Sequence, residues 1–370
     1  MLLCGLITVF TVLTAAKGTP KSDNDVLGLP PLDVPVSPHT AQQIRLGQQL
    51  FFDKRLSADG TVSCASCHQP EQAFSDAKKV SVGVADRTGT RNAPSLLNAA
   101  FNTSQFWDGR RSSLETQALE PFMNAREHGL SNGQELLDKL RADPTYLSAF
   151  KAAFDIASEG IHIEHVGQAI AAFERTLVTG NSPVDRYLFN GEKSLSPSAE
   201  RGLVLFRGRA QCASCHLIGR TNALLTDHQF HRLGIGWQQI QQRLPELTTR
   251  LVTARQQNRS LDATLLSDDD LAELGRFAVT LDPRDIGKFR TPSLRNVALT
   301  APHMHDGSVA TLEEAVELEI YYRGTANGRP LILTSVEKAD LVAFLHALTS
   351  PQALTFKPMQ AEQTPQPTSK

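Results

Sequence analysis

The five letters Cys-Ala-Ser-Cys-His occur twice in this 370-residue chain, at residues 64–68 and 212–216, and every cysteine but Cys4 lies in one of them. A Cys-x-x-Cys pair followed at once by histidine is the pattern of covalent c-type haem attachment. The two thiols bond the porphyrin edge, and the adjacent imidazole is thereby carried to one face of the iron. The alternatives explain less. A thioredoxin-like pair needs no histidine, a four-cysteine zinc site commonly brings its two pairs closer in sequence, and two disulfides leave both histidines idle. The reading is two haems, attached at Cys64 and Cys67 with His68 as ligand, and at Cys212 and Cys215 with His216 as ligand.

The duplication extends upstream. Gly47-Gln-Gln-Leu-Phe precedes the first motif and Gly202-Leu-Val-Leu-Phe the second, both in stretches of helical pattern, and Ser196 with Pro197 marks a helix start before the second. So long a period indicates two related units and not a solenoid. Alternating apolar strands are absent from the pattern, so the fold class is mainly α, with two cytochrome c-like helical haem domains in tandem. The expected boundaries are 40–190 and 191–350, with the C-terminal part able to pack back on the first domain. Residues 17–39 read as a Pro-rich lead-in with little core potential and 351–370 as a disordered tail. The stretch 237–271, rich in Gln, Arg and Asp, reads as an insertion without visible chemistry. Thr334 and Glu337 form a capping box, after which Leu341, Val342, Leu345 and Leu348 make one apolar face.

Residues 1–16 are apolar and end in small residues, which reads as a secretory signal cut after Ala16 and a periplasmic location. A basic n-region is missing, and a retained anchor is the alternative. With 37 basic against 39 acidic residues the net charge is −2, which gives no field for nucleic acid.

Several longer segments then fall into one pattern: FFDKRLS before the first motif, RNAPSLLNAAFNTSQFWDGR after it, and FRTPSLRNVALTAPHMHDGS after the second. Over residues 40–349 the chain resembles the bacterial dihaem cytochrome c peroxidases and their methylamine-utilisation, MauG-like relatives. The resemblance implies a peroxidatic haem on His68 and an electron-transfer haem on His216. It implies an indole, Trp107, between the two haems, and a distal amide and acid at Gln117 and Glu127. It implies a calcium position at Asn92, Thr300 and Pro302, and a contact of His305 with a haem edge or propionate. A carboxylate within hydrogen-bond reach of bound peroxide can move the proton that O–O heterolysis requires.

The pattern is broken at two places. Where many relatives carry a removable distal histidine the chain has Val84, so the first haem is expected to be open without reductive activation. The position of the family's axial methionine or tyrosine is taken by Glu319. At about 100° per residue from Leu312, this carboxylate points from the middle of the apolar face. It is therefore a candidate axial ligand of the second haem, with Met304 and then Tyr322 as rivals. His128, His162, His165, His228, His231, His303 and His346 read as ordinary satisfied polar groups.

The leading expectation is reduction of hydrogen peroxide with electrons from a small cytochrome c or cupredoxin. The alternatives are MauG-like oxidation of a partner protein through high-valent haems and a non-enzymatic dihaem electron carrier. A homodimer is compatible with each.

Overall fold

The computed structural model describes residues 26–32 and 40–355, apart from residues 267, 327 and 329. The secretory reading of residues 1–16 and most of the tail lie outside them. Among the described residues the only strands are the two-residue pair Phe230–His231 and Phe289–Arg290. The rest is helix and ordered loop, and no helix is long and apolar enough to cross a membrane.

The repeated Gly-x-x-Leu-Phe has a packing cause. In the first unit helix Thr40–Phe52 crosses helix Ile163–Glu174, and a Cβ on Gly47 would collide with the Ala169 carbonyl. In the second, helix Pro197–Arg207 crosses helix Ser335–His346, and a Cβ on Gly202 would collide with the Asp340 carbonyl. Only glycine lets two backbones approach so closely. One turn later Phe51 meets Phe173 at 5.2 Å between ring centroids, and Phe206 meets Phe344 at 4.8 Å. Each crossing seeds its own apolar core, the first with Leu46, Leu50, Phe122 and Phe150, the second with Leu203, Leu312, Leu341 and Leu345. Gly202→Ala is expected to lower stability by about 1–3 kcal/mol through overpacking at backbone contact, read from the midpoint of chemical denaturation at unchanged slope.

Local signals explain the helix ends. Ser196 Oγ accepts from the Ala199 N–H at 3.2 Å, and Thr334 Oγ1 from the Glu337 N–H at 3.2 Å while Glu337 returns the bond to the Thr334 N–H at 2.8 Å. Leu341, Val342, Leu345 and Leu348 are buried, as the apolar stripe predicts.

Four expectations change. The lead-in is not idle: Leu29 is buried, and the Gly28 carbonyl accepts from the Ala223 N–H at 2.9 Å and from the Arg295 guanidinium. Helix Pro183–Asn190, set before the 190/191 boundary, puts Val184 into the second core, with Tyr187, Leu188 and Phe189 packed against the same cluster. At the tail, Gln352–Leu354 forms a 3-10 turn and Ala353 enters the first core. The 237–271 insertion is folded around helix Leu244–Gln256, with a small core of Ile240, Leu247, Leu251 and Leu265. Its Asp262 reaches the first unit, where it accepts from Arg110 at 2.8 Å and Arg111 at 2.7 Å.

Candidate haem sites

The first motif forms the one-turn helix Cys64–Cys67, started by Ser63, whose N–H is held by Ser66 Oγ at 3.0 Å. His68 follows directly, and its Nδ1 lies 3.1 Å from the Phe74 carbonyl. Only a protonated Nδ1 can donate to a carbonyl, so Nε2 is the nitrogen left with its lone pair. The second motif repeats the device, with His216 Nδ1 at 2.9 Å from the Leu225 carbonyl. The acceptor residue has a positive φ in both copies, 57° at Phe74 and 56° at Leu225. Burial drives the His216 imidazole down to about 4 and lowers that of His68, so both rings are neutral, as metal ligation demands. None of the four motif cysteines is paired in a disulfide.

Each motif opens on a cavity. The one at His68, about 40 Å³, is lined by Cys64, Cys67, Gln117, Glu127, His128 and Glu174. Gln117 ends the turn Leu114–Gln117, which Ser113 starts by accepting from the Thr116 N–H at 3.3 Å. Glu127 is held by Asn124, whose Nδ2 donates to Glu127 Oε1 at 2.6 Å. Burial raises the Glu127 carboxyl, against the opposing pull of Arg110 and this amide. Val84 is buried beside them, its N–H donating to the Glu127 carbonyl at 2.9 Å. His128 departs from its expectation. It is buried, its ring meets Phe122 edge-on at 4.8 Å, and its Nδ1 has no partner among the described residues. Burial takes it down to about 4. His228 likewise leaves Nδ1 unpartnered, whereas His231 meets Asp227 at 2.7 Å as an ordinary satisfied group.

The cavity at His216 is larger, about 260 Å³, and gathers Trp107, Glu319, Met304, His303, His305, Asn92, Thr300 and Pro302. Tyr322 is not on its wall, and Gly234 packs against the Tyr322 ring. The helical-wheel expectation for Leu312–Ala326 is met: Leu312, Ala315, Val316, Glu319 and Ile320 face the cavity, and Tyr321 is exposed. Glu319 accepts from Arg323 Nε at 3.4 Å, and burial raises its carboxyl with Arg323 opposing. Trp107 donates its indole N–H to the Asn92 carbonyl at 3.0 Å and has its own carbonyl tied by the Arg290 N–H at 2.8 Å. Asn92 uses its side-chain amide to donate to the Lys78 carbonyl at 2.8 Å.

Sequence reading missed Glu273. His305 stacks on Phe289 at 3.7 Å, lies 6.4 Å from the Trp107 ring, and meets Glu273 Oε2 through Nε2 at 3.0 Å. Arg91 clamps the other oxygen of Glu273 at 2.7 Å. Nothing in the run SDDDLAEL marks one acid among several as the buried one.

Both sites carry the donor set of a c-type haem, two thiols and an oriented imidazole. Beyond the thiols and the oriented imidazoles, Arg290 is buried on the His216 cavity and has no carboxylate partner among the described residues, only the Asn102 amide oxygen at 3.2 Å and the Phe106 carbonyl at 3.5 Å. Burial alone brings this guanidinium down to about 10. A lone buried cation is costly, and an anionic substituent such as a haem propionate relieves that cost.

The chain is similar to several known proteins. A family model described as di-haem cytochrome c peroxidase matches residues 41–194. Cytochrome-c peroxidase IdrP1 of Denitromonas iodatirespirans is 38% identical over 360 residues, 94% of this chain and 92% of that protein. The methylamine utilization protein MauG of Methylorubrum extorquens is 35% identical over 374 residues, 96% and 95% of the two chains. Among solved structures, a MauG-like protein associated with microbial copper homeostasis superposes with a TM-score of 0.71 at 35% identity, covering 90% of this chain and 97% of that one. A mainly helical fold, two histidine-bearing cavities and relatives spanning almost the whole sequence lead to one assignment: the chain belongs to the bacterial dihaem cytochrome c peroxidase and MauG-like family.

Proposed function

We propose that the protein is an exported, periplasmic dihaem peroxidase that reduces hydrogen peroxide to water with electrons from a small cytochrome c or cupredoxin. Family membership implies two c-type haems and a peroxidase-type oxidoreductase. The observation that carries the finer reading is the convergence of His68, Gln117 and Glu127 on one buried cavity. Haem bound there supplies an iron that takes peroxide as a ligand and, with its partner haem, the two electrons of the reduction.

The chain's own residues do the rest. Cys64 and Cys67 fix the first group and His68 presents Nε2 to it. Gln117 would hold a peroxide by its amide, and Glu127 would take up a proton from it and return one to the departing oxygen, which leaves as water. Asn124 keeps the Glu127 carboxylate aimed. On the second side Cys212, Cys215 and His216 would hold the haem, Arg290 would offer its charge to an anionic substituent, and Glu319 or Met304 would be a further ligand. Trp107, with its N–H retained by the Asn92 carbonyl, serves as the electron relay. Calcium at Asn92, Thr300 and Pro302 and a homodimer are further parts of the proposal.

Mixing peroxide with the dihaem protein and a reduced small cytochrome c in a stopped-flow instrument is expected to oxidise the cytochrome with turnover. No turnover with both haems loaded would overturn the reading. The second reading, oxidation of a partner protein, is favoured by Val84 and by an oxygen ligand at Glu319. Its mark in the same instrument is an oxidised haem pair that outlives the mixing by minutes when no donor is present.

A further inference from the structure

Glu174, the last residue of helix Ile163–Glu174, is 4% exposed and lines the His68 cavity together with Gln117 and Glu127. Its Oε2 has no hydrogen-bond partner among the described residues. The adjacent cation does not serve it: Arg175 turns away to Glu115 at 2.6 Å.

A lone carboxylate in such a place protonates instead of staying charged. Burial raises this one to about 8, which leaves it a neutral acid with a proton to donate at pH 7. Glu127 stands in a different environment. The Asn124 amide donates to it at 2.6 Å and Arg110 attracts it, and both favour the ionised form. Burial raises both carboxyls of this small cavity, but only Glu127 has a hydrogen-bonding amide to oppose it. A buried polar group left without a partner is destabilising, a cost that an apolar residue at this helix crossing would avoid.

We propose that Glu174 is a second functional carboxyl of the His68 cavity, donating a hydrogen bond to a small oxygen-bearing or anionic ligand bound there. The inference rests on the reading that such a ligand enters this cavity. Hydroperoxide is both a donor and an acceptor, and the cavity then offers Glu127 as its acceptor and Glu174 as its donor.

Fluoride is the probe, because it accepts hydrogen bonds and donates none. The ferric dihaem protein is titrated with fluoride, following the absorption of the His68 haem, in the native chain, Glu174→Gln, Glu174→Leu and Glu174→Met. Loss of the donor in the Leu and Met variants is expected to raise the fluoride Kd about tenfold. The glutamine amide still donates and should stay within about threefold of native. The spectrum of the His216 haem reports the fold in every variant, and Met covers the case in which Leu fails to load haem. Equal affinity in native and apolar variants overturns the proposal, as does a glutamine variant as weak as the apolar ones. So does a native cavity that takes no fluoride. A Glu174-dependent affinity without peroxide turnover leaves this inference standing and removes only the proposed function.

Discussion

Replacing Glu127 by glutamine is expected to cut the rate of peroxide reduction by roughly 10²- to 10⁴-fold, the range that a positioned general base contributes. Glutamine keeps the volume of the side chain and can still meet Asn124, so the cavity wall is preserved while the proton acceptor is lost. The effect should appear equally in kcat and kcat/KM if Glu127 acts only in the transition state. An electron carrier would be indifferent to the change, because nothing in carriage needs a base beside His68. Steady-state oxidation of reduced cytochrome c by peroxide, with the haem absorption of both forms compared beforehand, makes the measurement.

The same residue sets a pH dependence. Burial raises the Glu127 carboxyl, so its base form is lost as pH falls through a value above the ordinary carboxylate range. The acid limb of kcat/KM should therefore lie higher than an exposed glutamate would give, and should vanish in the glutamine variant.

How much of this was legible in the sequence depends on the distance over which each feature is encoded. The haem motifs, the helix caps and the apolar faces are written within a few residues of each other, and the spacing gives them directly. Gly47 and Gly202 were visible as a repeat, although the reason for glycine, a carbonyl of a helix more than a hundred residues away, was not. A further repeat went unused. Pro-Ser-Leu-x-Asn occurs at residues 94–98 and 292–296, and Ser95 and Ser293 each donate to a backbone carbonyl, Ala73 at 2.6 Å and Leu224 at 2.7 Å, beside the turn that orients the haem histidine. The matching asparagines, Asn98 and Asn296, both have positive φ and both bind Thr179.

Electrostatic partners were the least legible. Asp262 looked like one acid of a solvated insertion, yet its arginines stand 151 and 152 residues earlier. Glu174 and Arg175 are adjacent charges in the sequence, yet Glu174 is buried while Arg175 pairs with Glu115. Charge alternation along a chain does not fix burial; the packing of the apolar residues does.

Asp185→Ala should remove about 3–5 kcal/mol of stability, the usual consequence of stripping one partner from a buried ion pair. Asp185 and Arg295 have side chains 2% and 3% exposed and are joined twice, Nη1 to Oδ2 at 2.9 Å and Nη2 to Oδ1 at 2.8 Å. The carboxylate also accepts from the Ser182 N–H and hydroxyl, both at 2.9 Å, at the start of helix Pro183–Asn190. Arg295 binds in addition the Gly28 carbonyl and, at 2.8 Å, the Ala223 carbonyl, two residues before the acceptor for His216. Removing Asp185 thus leaves a buried guanidinium uncompensated at the point where the N-terminal segment, the linking helix and the second haem loop meet. Asp282→Ala serves as the control, because its partner Arg284 is 86% exposed and solvent screens such a surface pair. Denaturant titrations of the dihaem protein, followed by helix signal and by the His216 haem together, should show a large fall in midpoint for the first variant. For the second they should show almost none. If the Asp185 variant unfolds at the native midpoint, the pair contributes nothing net, and the junction is held by the apolar contacts of Val184 alone.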